Sequence, residues 1–212
     1  MYNKKVAAPG LAIAFVAVIG VAFATGDPFA LSRANLAKSA TFTVTQTTTP
    51  NGSPATTRVY RVEVKGEKAR VDFNDPSLGA ARYLVNDKGY YIYTPGNNAA
   101  MKQNFKGGVG MALQVAFAQM SGSLTKAKRV GSATVSGQPT DIYRDDNTKA
   151  VVYFGKNAGF RLPIKAEESN VGGKTSLLVT DIHVNPAVPD TDFALPKGAQ
   201  IIDSNSPGGG IR

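Results

Sequence analysis

Apolar and polar positions alternate along most of this chain. Between Thr57 and Lys65, Tyr60, Val62 and Val64 fall on one side of an extended backbone, and Arg61, Glu63 and Lys65 fall on the other. After a turn at Gly66-Glu67, Ala69, Val71 and Phe73 continue the apolar side against Arg70 and Asp72. The pattern predicts a half-buried antiparallel hairpin. Thr41 to Thr48 (TFTVTQTT) is rich in β-branched residues and precedes the turn signal Pro50-Asn51-Gly52-Ser53-Pro54. Asp75-Pro76 breaks the pattern. Arg82–Asn86 and Gly89–Thr94 predict another hairpin around Asp87-Lys88-Gly89, with large side chains on both faces, as central strands require. Further strands are predicted at Val130–Val135, Asp141–Arg144, Ala150–Phe154, Phe160–Ala166 and Thr175–Val184. Pro163 argues for an edge or a bulge. From Pro186 onward short extended pieces end near Ile202, and residues 204–212 read as a flexible tail. The whole predicts about ten or eleven strands, joined by short turns and apolar on one face. That favours one large curved sheet, although a two-sheet sandwich would give much the same alternation.

One stretch departs from the period of two. Met111-Ala112-Leu113-Gln114-Val115-Ala116-Phe117-Ala118-Gln119-Met120 is almost wholly apolar, with Gly107, Gly108 and Gly110 before it and Gly122 after it. It predicts a short helix that must lie on the apolar face of the sheet, because such a helix cannot face water. The space between helix and sheet is the candidate site. Met101, Met111 and Met120 cluster here, serving either as flexible core filling or as a lid over a variable apolar ligand. A second, amphipathic helix is predicted from Asp27 (N-cap) and Pro28 (N1) through Phe29, Arg33, Leu36 and Ala40.

The first 24 residues have the layout of an export signal: Lys4 and Lys5, a 14-residue apolar run from Leu11 to Ala24, and Ala22-Phe23-Ala24 as a small-x-small cleavage site. The run is short of the roughly 20 residues that a membrane span needs. A cleaved signal is therefore expected, with an uncleaved anchor as the alternative, and the folded part, residues 25–203, sits outside the cytoplasm in either case. The formal charge of +9 falls to +7 without the two lysines, and the chain has no Cys. Disulfides, thiolate metal sites and an N-terminal lipidated Cys are thereby excluded. A basic balance points to anionic lipid surfaces or nucleic acid; export argues against nucleic acid.

Candidate chemistry is sparse. His183, the single histidine, stands in a strand, and no Gly-x-Ser-x-Gly elbow exists to partner it. Gly172-Gly173-Lys174-Thr175 lacks the first glycine of a phosphate loop, whose position is held by Glu168. Asp145-Asp146-Asn147 reads as a polar turn rather than a calcium loop, and Asp72 and Asp75 need no acid–base role. Lys126, Lys128 and Arg129 form either a solvated loop or a contact with anionic head groups. No catalytic residue, metal or cofactor is expected, and the chain is not expected to be an enzyme.

The hairpin Asn86-Asp87-Lys88-Gly89-Tyr90-Tyr91-Ile92-Tyr93-Thr94-Pro95 resembles the central hairpin of periplasmic lipoprotein-carrier proteins, the LolA/LolB-like superfamily. The segment Pro189-Asp190-Thr191-Asp192-Phe193-Ala194-Leu195-Pro196-Lys197-Gly198-Ala199 resembles that family's closing segment, and the strand Leu177–Val184 fits before it. The resemblance implies an unclosed antiparallel half-barrel with short helices across its concave apolar face, where relatives hold acyl chains of lipoproteins or envelope lipids. Some members are sensors or glycolipid binders. The family's cavity arginine has no definite counterpart among Arg58, Arg61 and Arg82, and its tryptophans are missing. The expectation is a monomeric, exported lipid or lipoprotein carrier, with an envelope sensor or structural protein of sealed core as the alternative. Met111, Leu113, Val115, Phe117 and Met120 would face the ligand from the helix. Tyr60, Val62, Val64, Val71, Phe73 and Ile92 would face it from the sheet.

Overall fold

The computed structural model describes residues 39–75, 79–103, 109, 113, 116–117, 127–156 and 162–203. The predicted export signal, most of the predicted first helix and residues 204–212 lie outside the described residues. So do Met111, Val115 and Met120.

Twelve strands form one sheet. They are β1 (Ser39–Pro50), β2 (Thr56–Lys65), β3 (Lys68–Asp75), β4 (Gly79–Asn86), β5 (Gly89–Tyr93), β6 (Ala99–Gln103), β7 (Lys128–Val135), β8 (Gln138–Arg144), β9 (Val151–Gly155), β10 (Pro163–Asn170), β11 (Gly173–Val184) and β12 (Gln200–Asp203). Their spatial order is β12-β6-β5-β4-β3-β2-β1-β11-β10-β9-β8-β7. Every neighbouring pair is antiparallel except β12 and β6, which run parallel. The sheet is unclosed and curved. The count exceeds the expected ten or eleven because the Pro95–Gly110 stretch, read as a loop, contains β6. Ala40, expected at the end of a helix, lies in β1 instead, paired with Val64 and Val184. Pro163 sits at a register shift between β10 and β9, as its missing N–H demands.

The two faces differ. The inner face carries one apolar cluster that reaches from β5 across β4, β3, β2, β1, β11 and β10 to β9. The outer face carries a second, smaller cluster of Leu84, Tyr91, Tyr93 and Ala100. Its cover is the segment between β11 and β12, which contributes Val188, Phe193 and Leu195 and contains the 3-10 turn Asp190–Phe193. We call it the strap. The β4–β5 hairpin is thus buried on both faces because of the strap; in the sheet order it lies close to the β12 edge.

Hydrogen bonds fix the strap at both ends. Ser39 Oγ donates to Pro186 O at 2.7 Å, Lys65 Nζ to Val188 O at 2.8 Å and Asn86 Nδ2 to Phe193 O at 2.9 Å. Lys68 Nζ donates to Asp190 Oδ1 at 3.0 Å. Gln200 N–H donates to Asn98 O, leading into β12. Gly173 opens β11 where the end of β1 presses close: its φ is +140°, and a Cβ there would stand 2.2 Å from Thr49 O, so only glycine fits.

Among the described residues the 3-10 turn is the one helical element with continuous bounds. Short helices across the concave face are therefore not part of the described fold. Four positions of the apolar segment, Val109, Leu113, Ala116 and Phe117, do have helical backbone. No helix among the described residues is long and apolar enough to cross a membrane.

Candidate functional site

Strand register assembles the inner face in rows, because directly paired residues share a face. One row runs Phe42, Val62, Val71, Tyr83, Ile92 across β1 to β5. Beside it, Val44, Tyr60 and Phe73 form a second. On the other side of β1, Leu177, Ala166, Val152 and Tyr143 continue across β11, β10, β9 and β8. Aromatic rings touch along the first two rows: Tyr60–Phe73 centroids are 5.5 Å apart, Phe73–Tyr83 5.2 Å and stacked, and Tyr83–Tyr90 5.9 Å.

Tyr60, Val62, Val64 and Val71 are buried in this cluster, and Phe73 and Ile92 pack against it half-buried. All six sheet residues singled out from the sequence therefore share one face. Val109, Leu113 and Ala116 are buried in the same cluster, and the Phe117 ring lies 6.2 Å from that of Phe42. Positions 109, 113, 116 and 117 have the spacing of one helical stripe, and these four residues meet the sheet. The sequence reading missed the β9–β11 half of the cluster: Val152, Phe154, Leu162, Ala166, Leu177 and Val179. Alternation from Leu162 to Ala166 and from Leu177 to Val179 was the available signal.

Polar groups punctuate the apolar face. Tyr60 Oη donates to Gln46 Oε1 at 3.4 Å, both buried. Gln103 Nε2 is buried without a hydrogen-bond acceptor among the described residues. A depression of about 530 Å³ lies away from this face, at the β1–β2 turn, lined by Thr49–Pro54 with Ser169, Gly173 and Lys174.

The outer face carries an ion network. Asp72 accepts from Arg82 Nη2 at 2.8 Å, from Arg82 Nε and from Arg70, and Arg82 Nη1 donates to Tyr93 Oη at 3.0 Å. Glu63 Oε2 lies 3.5 Å from Arg70 Nη1 as an ion pair without a hydrogen bond. Burial pushes the Asp72 carboxyl up, but hydrogen bonds from Arg82 and Arg70 outweigh it and hold its pKa below the ordinary value of 3.8. Burial raises Glu63. The signs are opposite. The stability that Asp72 contributes is full above its unfolded pKa and is lost as pH falls through its lower folded one; that of Glu63 is present at low pH and lost on the way up. We expect Asp72→Asn to be less stable at neutral pH and to lose less on acidification below about pH 3.8. Thermal melts over that range check this, and parallel acid limbs in the two proteins would remove Asp72 from the explanation.

His183 is exposed in β11 opposite Thr41. Asp145 is buried and accepts from Asn147 N–H at 2.9 Å and Thr148 N–H at 3.2 Å, so it closes a turn. Val171-Gly172 is the β10–β11 turn, and Gly173 opens β11. Among the described residues no three His, Cys, Asp or Glu side chains gather as a metal site would require.

No family model and no curated protein matches the chain. Solved structures do. An uncharacterized conserved protein from Thermus thermophilus is similar over 82% of this chain and 96% of its own, at 16% identity and a TM-score of 0.53. A LolA superfamily protein from Nitrosomonas europaea matches over 78% of this chain and 96% of its own, at 14% identity and a TM-score of 0.38. Lipoprotein LppX from Mycobacterium tuberculosis matches over 72% and 89%, at 12% and 0.37. The chain shares its fold with the Thermus thermophilus protein.

Within this sheet the three strand arginines separate. Arg61 and Arg82 share the outer face with Asp72, while Arg58 pairs with Gln46 on the inner face. The basic cluster also divides. Lys128 pairs with Arg144 on the outer face, Arg129 pairs with Tyr143 on the inner face, and Lys126 lies outside the described residues.

Proposed function

We propose that this chain is an exported lipid or lipoprotein carrier that holds acyl chains against the inner face of its sheet, where Val109, Leu113, Ala116 and Phe117 meet it. The observation that carries the reading is the single apolar cluster that runs across most of the sheet and is met by the Val109–Phe117 stripe. The driving force is hydrophobic transfer, about 0.8 kcal/mol per buried methylene, so a long chain is retained without any catalytic group. The names of two similar structures, a LolA superfamily protein and a lipoprotein, agree with this class. The protein works as a monomer outside the cytoplasm, without cofactor or catalysis.

Native mass spectrometry of the protein purified gently from envelope extract tests the reading. The expected result is a co-purifying lipid or acylated peptide that leaves on denaturation. A clean apo mass, with no uptake of added fluorescent lipid, would replace the carrier with a sealed-core envelope protein.

A further inference from the structure

The apolar inner face ends on charge at the β7 edge. The row Leu177, Ala166, Val152, Tyr143 stops on Arg129. In the next row Phe154 pairs with Asp141, and Asp141 with Ser132. Lys156 follows β9 and donates its N–H to Pro139 O at 2.9 Å, which brings its side chain to the same place. Four donors converge on one oxygen, Asp141 Oδ1: Arg129 Nε at 2.9 Å and Nη2 at 2.8 Å, Lys156 Nζ at 3.1 Å and Ser132 Oγ at 3.1 Å. Ser132 Oγ in turn accepts from Arg129 Nη2 at 2.9 Å and Lys156 Nζ at 3.1 Å.

Two cations thus share one carboxylate, which leaves one net positive charge. Both cations remain reachable, with 54% of the Arg129 side chain and 39% of the Lys156 side chain open to solvent. The Arg129 hydrogen bond holds the Asp141 carboxyl down to about 2, so the ion group stays charged across the neutral range. Arg129 engages Asp141 and Ser132 through Nε and Nη2, which leaves the two Nη1 N–H groups of its planar fork for a phosphate. Neighbouring strands lie about 4.8 Å apart, so an anion at Arg129 is about one strand from Tyr143 and two from Val152. Tyr143 and Phe154 meet edge-on there, with centroids 5.7 Å apart.

We propose that Arg129 and Lys156 hold the phosphate of an anionic lipid head group whose acyl chain runs over Tyr143 and Phe154 into the inner cluster. The proposal rests on the acyl-binding reading of that face and adds the ligand class. Asp141 acts as a positioning residue that holds the two cations together.

The test compares lysophosphatidylglycerol, a monoacylglycerol of the same chain and inorganic phosphate by isothermal titration. The proteins are wild type, Arg129→Gln/Lys156→Gln, Lys156→Gln alone and Asp141→Asn. Wild type is expected to prefer the anionic lysolipid by about tenfold or more. The double variant should lose that preference with monoacylglycerol affinity unchanged, and Lys156→Gln should lose part of it. Asp141→Asn should bind the lysolipid more tightly, a gain that misfolding cannot mimic. A double variant that keeps the preference, or a wild type without one, overturns the head-group site while leaving acyl binding intact. A wild type that binds neither lipid overturns both. Inorganic phosphate bound as tightly as the lysolipid would make this a free-phosphate site and end the lipid assignment.

Discussion

Replacing Phe193 with Ala should cost about 3–5 kcal/mol of folding stability, the range for a buried phenylalanine. A domain of this kind is held by only about 5–15 kcal/mol in total, so the variant should sit close to unfolding. Phe193 is the anchor of the strap: it is 2% exposed and belongs to the cluster of Leu84, Tyr91, Tyr93 and Ala100 on the outer face. Its truncation leaves a cavity under a segment with little other apolar attachment, Val188 and the half-buried Leu195. The polar ties of the strap, from Lys65, Lys68 and Asp190, are partly exposed and contribute little each. Urea denaturation of both proteins measures the loss. A change under about 1 kcal/mol would mean that the strap is an ornament on a sheet stable without it.

The strap also shows where sequence reading stops. Tyr60-Val62-Val64 and Ala69-Val71-Phe73 announce the inner face because one face is buried and the other wet, which imposes a period of two. Leu84, Tyr91 and Tyr93 carry no such contrast with Tyr83, Val85 and Tyr90, since both faces of that hairpin are covered. Their double burial was legible, but its cause was not: Val188, Phe193 and Leu195 have no period that points at a partner. β6 was missed for a related reason. Ala99-Ala100-Met101-Lys102-Gln103 has no β-branched residue and follows Gly96-Asn97-Asn98, so local preference says loop, while pairing with β5 and β12 makes it a strand. The Arg129–Asp141–Lys156 group was invisible for a third reason. Its members come from β7, β8 and the residue after β9, and only register, with the shift between Arg129 and Gly131, turns Arg129 inward beside Asp141.

Phe117→Asp is expected to abolish uptake of a fluorescent acyl probe. Phe117 has helical backbone, is half-buried against the inner cluster and stands with its ring 6.2 Å from that of Phe42. A carboxylate placed there confronts whatever occupies the face between them. Losing contact with only two methylenes would cost about 1.6 kcal/mol, more than tenfold in affinity, and desolvating the charge adds to that. Because Phe117 is not fully enclosed, the charge can turn toward water in the empty protein, so the fold should survive with a modest fall in melting temperature. Phe117→Leu, which keeps the position apolar, should retain uptake. This pair separates the two accounts of the inner face. If the cluster is a sealed core, Phe117→Asp acts through stability alone and the wild type takes up no probe. If the face holds acyl chains, uptake collapses in the Asp variant at temperatures where the protein is still folded. Undiminished uptake in a stably folded Phe117→Asp protein would remove the Val109–Phe117 stripe from the binding site and leave the sheet to hold the chain without it.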